Sequence, residues 1–155
     1  MTSIRPCLWF ATEAEQAARL YVSLLPGSRI DNVLRSGPEA PGGAPVMAVE
    51  FTLAGQRYMA LNGAAGAAFT PAISLLVACA DQEELDRIWD GLLAGGSAER
   101  CGWLRDRYGV SWQVVPARMG EWMSGGPERV GRVVAAMLGM TKLEMATLER
   151  AASGP

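Results

Sequence analysis

The chain contains no histidine, which removes both the commonest metal ligand and the commonest acid–base group working near neutral pH. No apolar run approaches the roughly 20 residues of a membrane-spanning helix. Residues 1–6 lack the basic stretch leading into an apolar core that marks an export signal. The expectation is a cytoplasmic protein with no membrane partner. An excess of one charge is also missing: 14 basic and 16 acidic residues give a net charge of −2. They are scattered without runs, so no basic face for nucleic acid is expected. The cysteines are few and odd in number, Cys7, Cys79 and Cys101. Their wide spacing within or beside apolar strand candidates reads as buried thiols rather than a disulfide framework. A reactive cysteine would want a nearby base or a helix N-terminus. Cys101, next to Arg100, comes nearest to that case.

What is present is apolar patterning. Half of the 155 residues are apolar, enough for a single domain, or two small modules, to bury roughly two thirds of the unfolded surface. Residues 4–10 form an apolar run that feeds Thr12-Glu-Ala-Glu15, a sequence with the form of a capping box. Ala17, Leu20, Tyr21, Leu24 and Leu25 then recur at helical spacing and Pro26-Gly27 ends the helix. Strands are expected over 29–35, 46–53 and 57–62, the last two joined by a turn at Ala54-Gly55. The Gly- and Pro-rich segment 37–45 between the first two reads as a mobile loop.

After a small-residue linker the order begins again. Residues 72–80 read as a strand and Asp81-Gln-Glu-Glu84 as a second helix cap. Leu85, Ile88, Trp89, Leu92 and Leu93 make a helical stripe, and strands are expected over 98–100, 102–105 and 110–115. Thr12 and Asp81 lie 69 residues apart, as do Glu15 and Glu84, and Ser28 and Ser97. Duplication accounts for this. The organisation expected is one α+β domain of two tandem βαβββ modules, 1–62 and 72–116, joined by a linker over 63–71 and followed by a helical tail over 117–155. In the tail Pro127 starts a helix carrying Val130, Val133, Val134, Met137 and Leu138 on one face, with Leu143, Met145 and Leu148 beyond. That face packs either on the chain's own sheet or on a second subunit.

The segment 101–116 interleaves polar groups and tryptophans around a tight Asp106-Arg-Tyr-Gly109 turn, as a pocket edge would. Trp103 and Trp112 are each open to two readings, stacking of a flat ligand or burial against the adjoining helix. Trp112 and Gln113 are adjacent in one strand and point to opposite faces. Arg105 and Asp106 read either as a solvated turn pair or, for Arg105 on the face of Trp103, as an anchor for an anionic substrate. Glu50 is the best candidate general base, with outward solvation as the plainer alternative. Tyr21 and Trp89 read as core.

Two βαβββ modules together with Leu8-Trp-Phe10, Ala17-Ala-Arg-Leu-Tyr21, Pro26-Gly-Ser28, Val49-Glu-Phe51, Ala60-Leu-Asn-Gly63, Cys101-Gly-Trp-Leu104, Gly109-Val-Ser-Trp-Gln-Val-Val-Pro116 and the tail over 142–150 resemble the vicinal oxygen chelate superfamily. This is the glyoxalase, dioxygenase and bleomycin-resistance group, and the likeness is closest to its PhnB-like branch. The resemblance implies a glyoxalase-like fold whose paired modules curl their sheets round a cavity, often with a divalent metal held by one residue from each of four strands. Carried over, those positions fall on Gln113, on Ser74, on Asn62 or Ala60, and on Pro6 or Leu8. An amide, a hydroxyl and an aliphatic group do not neutralise a divalent ion as imidazole or carboxylate would, so no metal and no other cofactor is expected. Asn62, Ser74, Trp103, Arg105 and Gln113 are instead the expected contacts to a small-molecule ligand.

The resemblance also implies a homodimer. The expected function is metal-free binding of a small molecule, with catalysis left open. The alternatives are a 3-demethylubiquinone-9 3-methyltransferase, the label such proteins often carry, a metal-dependent glyoxalase or dioxygenase using Glu50 and Cys7, and a drug-sequestering dimer. No Gly-x-Gly-x-x-Gly follows the first strand to support methyl transfer.

Overall fold

In the computed structural model, which describes residues 1–37, 45–63 and 67–154, the alternating segments become strands and the three-and-four stripes become helices. Most of the loop expected over 37–45, and part of the linker expected over 63–71, lie outside the described residues. The chain divides into two units, Met1–Ala68 and Phe69–Pro155.

The first unit runs β1 (Cys7–Phe10), α1 (Ala14–Leu24), β2 (Arg29–Arg35), β3 (Val46–Leu53) and β4 (Gln56–Asn62). Its sheet has the order β1-β4-β3-β2, with β1 parallel to β4 and the other pairs antiparallel. Period-two alternation turns Leu8, Phe10, Val49, Phe51 and Ala60 into the core. The helix contributes Ala14, Ala17, Ala18 and Tyr21. Three alanines on that face let the helix backbone lie close to the sheet, and area removed from water at about 25 cal/mol per Å² drives the association. The β3–β4 hairpin turns at Ala54 and Gly55, both with positive φ, the backbone a two-residue connection of right-twisted strands requires.

Two expectations are corrected here. The capping box of Thr12 and Glu15 does not form: Glu13 occupies the cap position with no side-chain cap bond. The Oδ1 atom of Asn62, at the end of β4, accepts the Ala14 N–H at 2.9 Å instead, while its Nδ2 donates to the Val46 carbonyl at 3.0 Å. The Glu15 carboxylate is drawn to Arg19 at 2.7 Å and Arg35 at 3.2 Å, because charge-assisted bonds outcompete a neutral backbone donor. Both arginines hold that carboxyl below its ordinary range, the Arg19 hydrogen bond most of all. Cys7 is exposed rather than buried. It alternates with buried Leu8 and so faces away from α1.

The second unit repeats the plan with β5 (Leu75–Cys79), α2 (Gln82–Leu93), β6 (Ser97–Ala98), β7 (Trp103–Arg105) and β8 (Ser111–Pro116). The order β5-β8-β7-β6, with β5 parallel to β8, reproduces that of the first sheet. At α2 the expected cap forms: Asp81 Oδ1 accepts the Glu84 N–H at 2.9 Å and Glu84 Oε2 accepts the Ala80 N–H at 2.8 Å. Leu85, Ile88, Trp89 and Leu92 of this helix are buried, as are Leu104, Trp112 and Val114 of the sheet. Tyr21 and Trp89 are therefore core residues. The strand expected over 98–100 shortens to β6, because the chain leaves the sheet to reach the positive-φ pair Cys101 and Gly102.

Three helices complete this unit: α3 (Met119–Trp122), α4 (Pro127–Leu138) and α5 (Met145–Ser153). The α4–α5 connection is tied to the unit's own sheet. The Cys101 N–H donates to the Met140 carbonyl at 2.9 Å and the Gly102 N–H to the Thr141 carbonyl at 2.8 Å. Gln82 Nε2 donates to the Leu143 carbonyl at 3.2 Å and Lys142 pairs with Asp86 at 2.9 Å. Of the two placements open to the tail's apolar face, the chain's own second unit takes Val133, Leu143, Leu148 and Ala152, all buried.

Candidate functional site

The alternation that sends Leu104, Trp112 and Val114 to α2 sends their neighbours to the opposite face of the second sheet. The register sets Leu76 beside Gln113 and Gln113 beside Trp103, so these three form one row across β5, β8 and β7. Ala78 and Val115 follow in the next row. The row lines a cavity of about 400 Å³, closed on another side by Met119, Gly120 and Met123 at α3 and by Met137 of α4. Cys101 reaches its wall. Methionine suits such a wall, since its flexible, polarisable thioether adapts to flat apolar surfaces.

Polarity in this cavity is concentrated at one point. No Arg, Lys, Asp or Glu lines it. Gln113 Nε2 donates to Ser74 Oγ at 2.9 Å, so the structure brings together two of the residues expected to bind a ligand, with Trp103 next along the row. Arg105 stands two residues beyond Trp103, on the same face. It is exposed, pairs with Glu99 at 3.5 Å, and is not among the cavity residues. Asn62 lies in the other unit, where its amide is engaged by Ala14 and Val46 and it lines a separate groove with Thr12, Glu15 and Ser36.

The turn between β7 and β8 holds this edge in place. Asp106 is 3% exposed, which corrects the solvated-pair reading. Its Oδ1 accepts the Tyr108 and Val110 N–H groups at 2.8 and 3.0 Å, and its Oδ2 accepts the Trp112 indole N–H at 2.9 Å. An ionised carboxylate offers four acceptor sites, so one residue satisfies a buried turn and a buried tryptophan together. Trp112 is thereby fixed on the α2 side and Gln113 on the cavity side.

The internal repeat identifies what stands at the corresponding place in the first unit. Cys7 and Leu76 are 69 residues apart, and Cys7 pairs with Met59, which pairs with Glu50. Met59 thus corresponds to Gln113 and Glu50 to Trp103, an equivalence that strand pairing supplies and sequence spacing alone does not. Glu50, the candidate general base, is held by Arg5 at 2.7 Å, and Arg5 is the counterpart of Ser74.

The donor set does not suit a divalent metal. The positions implied for ligands carry a hydroxyl and an amide bonded to each other, and an amide occupied at a helix start. These neutralise no charge on an ion. Among the described residues no three His, Cys, Asp or Glu side chains are grouped as ligands would be. Cys79 is no strong nucleophile, since burial pushes its thiol up to about 12 with Glu84 adding to the effect, and burial raises the Cys7 thiol as well. None of the helices is long and apolar enough to cross a membrane, among the described residues.

Comparison with known proteins places the chain. The family model for 3-demethylubiquinone-9 3-methyltransferase matches residues 2–115. The structure resembles that of the PhnB protein from Bacillus cereus, at 35% identity and a TM-score of 0.68, over 75% of this chain and 100% of that one. A Pseudomonas aeruginosa protein shares the fold at 21% identity and a TM-score of 0.60, over 72% of this chain and 95% of its own. No curated protein matches.

Proposed function

This chain belongs to the 3-demethylubiquinone-9 3-methyltransferase family, the PhnB-like branch of the vicinal oxygen chelate superfamily, and from that premise we propose that it is a metal-free binding protein for a small uncharged molecule. The observation that carries this reading is the cavity of about 400 Å³, walled by Trp103, methionines and aliphatic side chains around Gln113, whose amide donates to Ser74 behind the lining. A largely apolar pocket with one or two placed polar groups is what binding of a small organic molecule requires. A charged ligand would enter with no counter-charge on the lining and would pay the full desolvation cost.

The family description names methyl transfer, a reaction that draws on an adenosine-containing methyl donor. The residues present do not fit that donor in the familiar strand-turn-helix manner. The β1–α1 connection is Ala11-Thr-Glu13, with none of the glycines that let a backbone approach a nucleotide. In the same reading the protein is cytoplasmic and works as a homodimer, the second copy covering apolar side chains such as Leu76 and Leu138, which are 59% and 55% exposed.

A thermal-shift titration tests the proposal, because a ligand that binds the folded state raises its apparent stability. Adding 2-naphthol, a flat uncharged probe, is expected to raise the melting temperature by a few degrees at about 100 times its dissociation constant. Manganese, nickel, zinc and S-adenosylmethionine are expected to leave it unchanged. A rise with any of the ions or with S-adenosylmethionine, and none with 2-naphthol, would overturn the reading.

A further inference from the structure

We infer that the ligand of this cavity carries a hydrogen-bond donor, a hydroxyl or N–H on a flat apolar body, which it gives to Gln113 Oε1 while lying against Trp103. The inference rests on the cavity reading above and specifies its chemistry. Gln113 sits on β8, the strand between β5 and β7. Its Nε2 is turned towards Ser74, which precedes β5, and donates to it at 2.9 Å. The oxygen and nitrogen of a primary amide diverge at about 120° from a planar carbon, so committing the nitrogen to the β5 side turns Oε1 towards the β7 side. Trp103 is the β7 residue paired with Gln113.

The oxygen at that place accepts no protein hydrogen bond among the described residues, and the two other side-chain donors on the cavity lining, the Trp103 indole N–H and the Cys101 thiol, are not bonded to it. A ligand that only accepts would set its lone pairs against those of Oε1. One that donates completes the acceptor. A carboxylate or phosphate is excluded by the same reasoning, since it brings charge and acceptors and no donor. The chemical class is therefore a phenol, enol or secondary amide of one or two rings, a size the cavity holds.

Ser74 is a positioning residue in this account. Its hydroxyl holds the amide nitrogen away from the ligand. Without it the amide is free to rotate and to present Nε2 instead.

Isothermal titration with three probes tests the inference: 2-naphthol, its methyl ether 2-methoxynaphthalene, and 2-acetylnaphthalene, which only accepts. The wild-type chain is expected to bind 2-naphthol about tenfold more tightly than either of the others, the ratio that one hydrogen bond supplies. In Gln113→Leu the three affinities should converge. In Ser74→Ala the preference should shrink or turn towards 2-acetylnaphthalene, a response that a purely structural role for Ser74 would not give. Circular dichroism and the melting temperature establish that each variant is folded. Equal binding of all three probes by the wild type, or a preference for 2-acetylnaphthalene, overturns the donor assignment and leaves the cavity reading standing. Binding of none overturns the cavity reading itself.

Discussion

Replacing Asp106 with alanine is expected to lower the unfolding free energy by about 3–5 kcal/mol, the cost of stranding several buried donors at once. The carboxylate accepts two backbone N–H groups of its own turn and the indole N–H of Trp112. Trp112 is 1% exposed, so its N–H has no route to water once the partner is gone. Asp106→Asn separates the contributions. One oxygen can still serve the two backbone donors, while the new amide hydrogens face the indole N–H, and the loss should be smaller, about 1–3 kcal/mol. Urea denaturation followed by tryptophan fluorescence measures both. A loss below about 1 kcal/mol for the alanine variant would show that water reaches the turn and that Asp106 is not what holds β7 against β8.

Gly102→Ala is the second large effect, expected to cost about 2–4 kcal/mol. At a φ of +82° the backbone is in the left-handed region, where a Cβ costs about 1–2 kcal/mol. The added methyl would also stand 2.8 Å from the Val114 carbonyl oxygen and 3.0 Å from the Leu143 side chain. The neighbours cannot give way cheaply. The Gly102 carbonyl accepts the Val114 N–H at 2.8 Å while its own N–H donates to Thr141 at 2.8 Å, so the residue is clamped between the sheet and the helical tail. The same clamp carries Cys101 into the cavity wall. Alongside the drop in stability, Cys101 in the alanine variant should react with a disulfide reagent several-fold faster than in the wild type. Unchanged stability and unchanged thiol reactivity together would mean that the tail does not depend on this joint.

The fold was legible in the sequence wherever the signal was periodic. Apolar patterning over 46–53 and 110–115 located two central strands, the adjacency of Trp112 and Gln113 separated the faces of the second, and helical stripes such as Leu85, Ile88, Trp89 and Leu92 located the layer above. What escaped was held by partners distant in sequence. The cap of α1 comes from Asn62, 48 residues away, and a local capping-box pattern cannot register a competing acceptor brought in by strand pairing. Asp106 looks like a turn residue because Asp at the first position of a turn with Gly at the fourth commonly is one. Its second oxygen is buried by Trp112, six residues on, where the strand doubles back.

Half of the candidate site was legible too. The alternation of Trp112 and Gln113 separates the two faces of β8, and the family positions point to Ser74. The rest of the wall was not, because α3 spans four residues, too few for a helical period, and because methionines at helical spacing read as core. Cys7 reads as a buried thiol from its apolar neighbours but is exposed, because one residue's difference in strand phase decides the face.

The central claim, that the second unit holds an uncharged ligand between Trp103 and Gln113, is tested most directly by a proton–nitrogen correlation spectrum of the labelled chain titrated with 2-naphthol. The account predicts that the largest shifts fall on the Gln113 side-chain amide and the Trp103 indole N–H, with smaller ones along the backbone at Leu76, Val115 and Met137. Shifts centred on the first unit, at Trp9 or Asn62, or a spectrum that does not move at all, would contradict it.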